Sequence, residues 1–82
     1  MYYVYLLESE KDGRYYIGHT QDIKERLNYH NSGRSVYTKH RGPWKLVVYK
    51  TFGSRGEAMK YESHIKRLKN RNTIRVEFSI EA

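Results

Sequence analysis

The chain has 82 residues, no cysteine, and 16 Lys and Arg against 9 Asp and Glu, a formal charge of +7. At this length one domain spanning 1–82 is the sensible count, and a disulfide framework or a thiolate metal site is excluded. No apolar run approaches the ~20 residues of a membrane helix, and the opening MYYVYLLESE carries neither the basic leader nor the small-residue cleavage site of a signal peptide. The lack of cysteine fits a reducing compartment, so a cytoplasmic location is expected. The positive balance points to a polyanionic partner, of which nucleic acid is the commonest.

Tyr2 to Leu7 reads as a first strand, with Val4 and Leu6 facing one way and Tyr3, Tyr5 and Leu7 the other. Ser9 to Gly13 is a turn, Asp12-Gly13 being its strongest signal, and Arg14 to Gly18 returns antiparallel as a second strand ending in the glycine. Tyr5 and Tyr16 share a face only if the numbers of paired residues sum to an odd value. A five-residue loop pairing Glu8 with Arg14 would separate them; an even-length loop or a bulge would join them. Turn chemistry does not decide between these, and the odd sum is expected because it lets the two hydroxyls act together.

Thr20 to Asn31 holds the first helix. Asp22 and Glu25 form a capping-box-like pair, Ile23, Leu27 and His30 lie on one face, and Asn31-Ser32-Gly33 is the stop. Arg26 and His30, four apart, stack on the same edge. Arg34 to Pro43 is a basic loop in which Arg34, Lys39 and Arg41 flank Tyr37. It is either a solvated connector or a loop that grips a nucleic-acid backbone with an occasional stacked base.

Trp44 to Phe52 is the third strand, and its run Leu46-Val47-Val48-Tyr49 is the most apolar in the chain, which places it inside the sheet. Gly53 breaks it, and Ser54 with Glu57 opens a second helix whose apolar stripe is Ala58, Tyr61, Ile65 and Leu68. Glu62 sits at the border of that stripe. The helix ends in Lys66, Arg67, Lys69 and Arg71, cations that complement the dipole and equally suit phosphates. From Thr73 onward Ile74, Val76, Phe78 and Ile80 alternate with polar residues, the period of an edge strand or an extended tail. The order β-β-α-β-α, with this C-terminal strand or tail, describes an α+β fold with helices packed on a small antiparallel sheet.

Tyr3-Val4-Tyr5, Tyr16-Ile17-Gly18, the phrase DIKERLNYHNSG with Arg26 and His30, and Glu62 on a later helix together resemble a GIY-YIG nuclease domain. The likeness is to the short stand-alone members similar to the N-terminal domain of the excision-repair incision nuclease. It runs from Tyr2 to about Arg71, with Tyr3 and Val4 standing where the name has Gly and Ile. The resemblance implies a three-stranded antiparallel sheet flanked by helices, and hydrolysis of a DNA phosphodiester with one divalent metal, in repair or recombination. It implies that Tyr5 and Tyr16 are the active-site tyrosines, Arg26 the phosphate-binding arginine, His30 its helix neighbour, Glu62 the metal ligand and Gly18 a close-approach glycine. Neither Asn70 nor Asn72 stands at a convincing offset for the further polar residue some members carry.

The chemistry suits these residue types. One Mg²⁺ or Mn²⁺ held by Glu62 would keep several waters and complete its shell with phosphate oxygens. The planar fork of Arg26 matches two phosphate oxygens. A tyrosine starts near a pKa of ~10 and needs nearby positive charge to take a proton from water, so Tyr5 or Tyr16 serves as general base or water-positioning group. His30 assists proton transfer or orients a phosphate. Gly18, Arg34, Tyr37, Lys39, Arg41, Lys66 and Lys69 are the expected nucleic-acid contacts, with branched, nicked or damaged DNA as substrate and a protein partner or dimer as a further expectation. Each residue alone has a plainer reading: a packed tyrosine, a solvated Arg26, a structural His30, a Glu62–Lys66 pair one turn apart. His19, His40 and His64 show no metal spacing with one another and read as surface residues. The alternative function is a catalytically inactive nucleic-acid-binding module of the same fold.

Overall fold

A computed structural model of the chain describes residues 1–68 and 70–79. Its elements run β1 (Tyr2–Ser9), β2 (Tyr15–Thr20), α1 (Ile23–Asn31), β3 (Trp44–Phe52), α2 (Arg55–Arg67) and α3 (Arg71–Ser79). The sheet is antiparallel in the order β2-β1-β3. The central strand is therefore β1 and not β3, a correction to the sequence-based placement. Val4, Tyr5, Leu6 and Leu7 are each exposed by 2% or less, because β1 is paired on both edges and covered on both faces. The apolar run of β3 has another cause: its two faces are each covered by a helix although its outer edge is open.

The hairpin has the odd register. Tyr5 pairs with Gly18 and Leu7 with Tyr16, so both tyrosines project from one face. The turn closes through Ser9 N–H to the Arg14 carbonyl at 2.8 Å, leaving four residues in the loop. Gly13 takes φ +77 there, a conformation that favours glycine. Strand β2 does not stop at Gly18 but continues to Thr20, and α1 accordingly starts at Ile23 rather than Thr20. Asp22 caps it, its carboxylate accepting from Glu25 N–H at 3.0 Å.

A bulge decides which face the end of β3 serves. Leu6 pairs with Val48 but Leu7 pairs with Leu46, so Val47 is an extra residue. Trp44, Leu46 and Val48 would all share a face in a regular strand. The bulge leaves Val48 with Leu6 on one side and turns Leu46 and Trp44 to the side of Tyr5 and Leu7. Asn31, the last residue of α1, then clamps Trp44: its side-chain amide donates to the Trp44 carbonyl at 3.1 Å and its oxygen accepts from Trp44 N–H at 2.6 Å. The open edge of β3 is thus satisfied by a side chain that also fixes the helix.

Two apolar clusters result. Tyr5, Leu7 and Trp44 pack with Tyr16, Leu27 and Leu46 beneath α1. Val4, Leu6 and Ile17 pack on the other face with Ala58 and Ile65 of α2 and Ile74 and Phe78 of α3. The C-terminal segment is therefore a helix, not the strand or tail that the alternation suggested. Ile74 and Phe78, four apart, are buried on its inner face, whereas Val76 is 60% exposed. The Asn70 carboxamide oxygen accepts from Asn72 and Thr73 N–H, which starts the helix. Ile80, the last member of the alternation, lies outside the described residues.

Candidate active site

Tyr5 stands where the strands and α1 converge. Its partner across the hairpin is Gly18, and its ring lies over that glycine: a Cβ at position 18 would come 2.5 Å from the Tyr5 hydroxyl and 2.8 Å from Cζ. The close approach foreseen at Gly18 is thus made by Tyr5, whose hydroxyl is carried toward the open edge of β2. Tyr16 follows on the same face, its ring centroid 6.4 Å from that of Tyr5 and 4.7 Å from the His30 imidazole.

Helix α1 supplies the next two groups. His30 is 1% exposed, and both ring nitrogens are engaged: Nε2 lies 3.0 Å from the Tyr5 hydroxyl and Nδ1 2.9 Å from Thr38 Oγ1. Burial first, and then the nearby Arg26 charge, push the imidazole down to about 4, so it is neutral near pH 7. The Arg26 guanidinium lies 4.4 Å from the Tyr29 ring centroid and near enough to Tyr5 for its charge to act on the phenol. With Tyr5 O–H donating to Nε2, Nδ1–H donates to Thr38. Burial raises Tyr5 to about 12; Arg26 opposes the rise, and the Tyr16 and Glu62 charges add to it.

Thr38 was not singled out in the sequence. It is 1% exposed in the middle of the basic loop, and its carbonyl accepts from the Trp44 indole N–H at 3.0 Å. The available signal was that two small polar residues, Ser35 and Thr38, interrupt RSVYTKHRGP, which says nothing about burial. Around it the expected contacts Arg34, Tyr37 and Lys39 are exposed and Arg41 half-exposed. Val36 and Tyr37 project at 75% and 78% exposure. The segment is therefore a surface loop pinned through Thr38 to His30.

Glu62 arrives from the other side of the sheet. His19 pairs with Val4 and faces α2, where its Nδ1 lies 2.5 Å from Glu62 Oε1. Lys66 Nζ, one turn along α2, lies 2.6 Å from Oε2. The plainer expectation of a Glu62–Lys66 pair is thus realised, and His19, read as a surface residue, is Glu62's second partner. Burial opposes ionisation of Glu62, but Lys66 and His19 outweigh it and hold the carboxyl below the usual carboxylate range. So Tyr5, Tyr16, Arg26 and His30 form one contiguous group on the α1 face. Glu62 approaches the same edge strand from the α2 face, close enough for its charge to act on Tyr5. Lys69 lies outside the described residues. His64 pairs with Glu77 at 3.5 Å.

Glu62 is a single hard oxygen ligand with one imidazole beside it. Among the described residues no three His, Cys, Asp or Glu side chains surround one point. That donor set does not suit a tetrahedral zinc site. It fits a Mg²⁺-like ion that keeps most of its waters and takes further oxygens from substrate.

A family model described as the GIY-YIG catalytic domain matches residues 1–75. The chain is 45% identical over 71 residues to a UPF0213 protein of Halalkalibacterium halodurans, covering 85% of this chain and 74% of that one. It is 48% identical over 68 residues to a UPF0213 protein of Streptococcus pneumoniae, covering 82% and 68%. The solution NMR structure of the UPF0213 protein from Bacillus halodurans matches with a TM-score of 0.57 at 41% identity, covering 93% of this chain and 82% of that one. No described helix is long and apolar enough to cross a membrane.

Proposed function

This chain belongs to the GIY-YIG catalytic domain family, and from that premise we propose that it is a divalent-metal-dependent endonuclease hydrolysing DNA phosphodiester bonds. The observation that carries the reading is the crossing at Gly18. There the Tyr5 hydroxyl reaches the edge strand from one face, while Glu62 is bonded to His19, the next residue of that strand, from the other.

Arg26 would bind the scissile phosphate. Its planar guanidinium suits phosphate oxygens, and the fixed charge would stabilise the pentavalent transition state. Glu62 would hold the ion, which when bound supplies charge neutralisation and a more acidic water. The exposed Lys66 side chain can swing off Oε2 to make room.

Tyr5 is the better base of the two tyrosines because its proton has an acceptor. As water attacks phosphorus, one water proton passes to Tyr5 Oη while the phenolic proton passes to His30 Nε2. The P–O bond to the departing sugar oxygen breaks, and that oxygen takes a proton from solvent. The return of the His30 proton through Tyr5 to bulk water resets the site. His30 must be neutral to accept, which its burial ensures. Tyr16, packed on the His30 ring, would orient the imidazole and the water.

The direct test is incubation with nicked or branched DNA and Mg²⁺ or Mn²⁺, beside Glu62→Ala. Cleavage by the wild type, lost in the variant, is the expected result. Binding without cutting, unchanged by the substitution, would identify an inactive nucleic-acid-binding module instead.

A further inference from the structure

Beyond the site just described, a cavity of about 280 Å³ opens along β2, lined by Tyr2, His19, Thr20, Gln21 and Arg55. Its lining is mostly polar and carries one fixed positive charge. Arg55, the first residue of α2, is exposed and makes no hydrogen bond or ion pair among the described residues. Several other cations of this chain are already spoken for: Lys66 by Glu62, Lys45 and Arg71 by Glu8, Arg14 by Asp12. Small-molecule pockets typically enclose ~300–1,000 Å³, so this one suits a single polar group better than a whole ligand. His19 is the wall it shares with Glu62.

We infer that this cavity is a subsite for a second, non-scissile phosphate of the bound DNA strand, with Arg55 as its principal cation. The inference rests on the nuclease reading and adds the direction in which the strand runs, along the open edge of β2 from Gly18 past Thr20. Two strand residues advance ~6.8 Å, and successive phosphates of one DNA strand rise ~3.4 Å along the helix axis. A DNA strand that follows β2 over that distance advances about one or two phosphates. Gln21 offers a carboxamide donor beside Arg55. Among the described residues, Arg34, Tyr37, Lys39, Arg41 and Lys66 are not part of this cavity's lining.

The experiment measures binding of the full chain to a nicked duplex in EDTA, where cleavage is absent, across a range of salt. Arg55→Ala should lower the slope of log K against log salt by ~1, the loss of one phosphate contact, and Arg55→Lys should restore it. A duplex carrying one neutral methylphosphonate within two nucleotides of the nick should give the same loss with the wild type. At one such position it should cause no further loss with Arg55→Ala. An unchanged slope in Arg55→Ala, with far-UV circular dichroism showing an intact fold, overturns the subsite, as do losses that add at every position. Cleavage in Mg²⁺ is read separately. A chain that cuts with an Arg55-independent slope lacks the subsite but keeps the nuclease function. A chain that never cuts but shows the Arg55 effect keeps the subsite and loses the nuclease function.

Discussion

Gly18 has the Tyr5 hydroxyl resting where its side chain would otherwise be. Gly18→Ala would force that hydroxyl off the strand, and misplacing a catalytic group by about an ångström costs ~10²-fold in rate. DNA cleavage should fall by that order, and overpacking around the buried Tyr5 should cost about 1–3 kcal/mol in denaturant unfolding; a fully active Gly18→Ala would remove the hydroxyl from the mechanism. Thr38 makes a different kind of claim. Thr38→Val leaves His30 Nδ1 buried without its partner, costing about 1–3 kcal/mol of stability, whereas Thr38→Ser retains the hydroxyl. Denaturant unfolding of the two variants checks this, and equal losses would contradict it.

His30 also sets a pH dependence. An imidazole ordinarily near 6.5 is pushed down to about 4 in the fold. The unfolded chain therefore binds a proton that the folded one refuses between those values. The stability contributed by neutral His30 is complete above about 6.5 and is lost as pH falls toward 4, by on the order of 3 kcal/mol. An NMR titration should find this imidazole neutral at pH 5.5; a midpoint near 6.5 would contradict its burial between Tyr5 and Thr38.

Among the elements, the β3 bulge matters most for the site. It turns the chain's single tryptophan toward Tyr16 and places its indole N–H on the Thr38 carbonyl. Deleting Val47 removes the extra residue, so Val48 and Leu46 pair with Leu6 and Leu7 in a regular ladder and Trp44 stays on the α1 face. The expected outcome is an unchanged tryptophan fluorescence maximum with cooperative unfolding retained; a shift toward the exposed range would mean that Val47 is not the residue the bulge absorbs.

Much at this scale was legible because it is local. The caps Asp22–Glu25 and Ser54–Glu57 sit where the spacing put them, and β3 has its expected bounds. The remainder depended on partners distant in sequence. A bulge leaves no mark in Leu46-Val47-Val48, and which strand is central depends on pairing rather than on apolar content. The alternation after Thr73 holds period two, yet its alternate members Ile74 and Phe78 are also one helical turn apart, and α3 used that second reading. In the site, Tyr5, Tyr16, Arg26, His30 and Glu62 were found as a set through the family resemblance. The contacts His19–Glu62 and Thr38–His30 join residues 43 and 8 apart, and no spacing rule connects them.

For the molecule as a whole, the sheet is sandwiched between α1 and the pair α2 and α3, and its edge strand β2 is reached from both sides. A formal charge of +7 favours a polyanionic partner, and the charge alone would serve a mere binding module as well as a nuclease. What separates the two is whether side chains on opposite faces of one strand work as a unit. Groups that share one catalytic step are non-additive when removed. The measurement is a cycle of Tyr5→Phe, Glu62→Ala and the double variant, read as cleavage rate on nicked duplex DNA in Mg²⁺. Each single substitution should bring the rate close to background, and the double should be no worse than either. A wild type that does not cut, or losses from the two substitutions that multiply in the double variant, would contradict a single hydrolytic site built across Gly18.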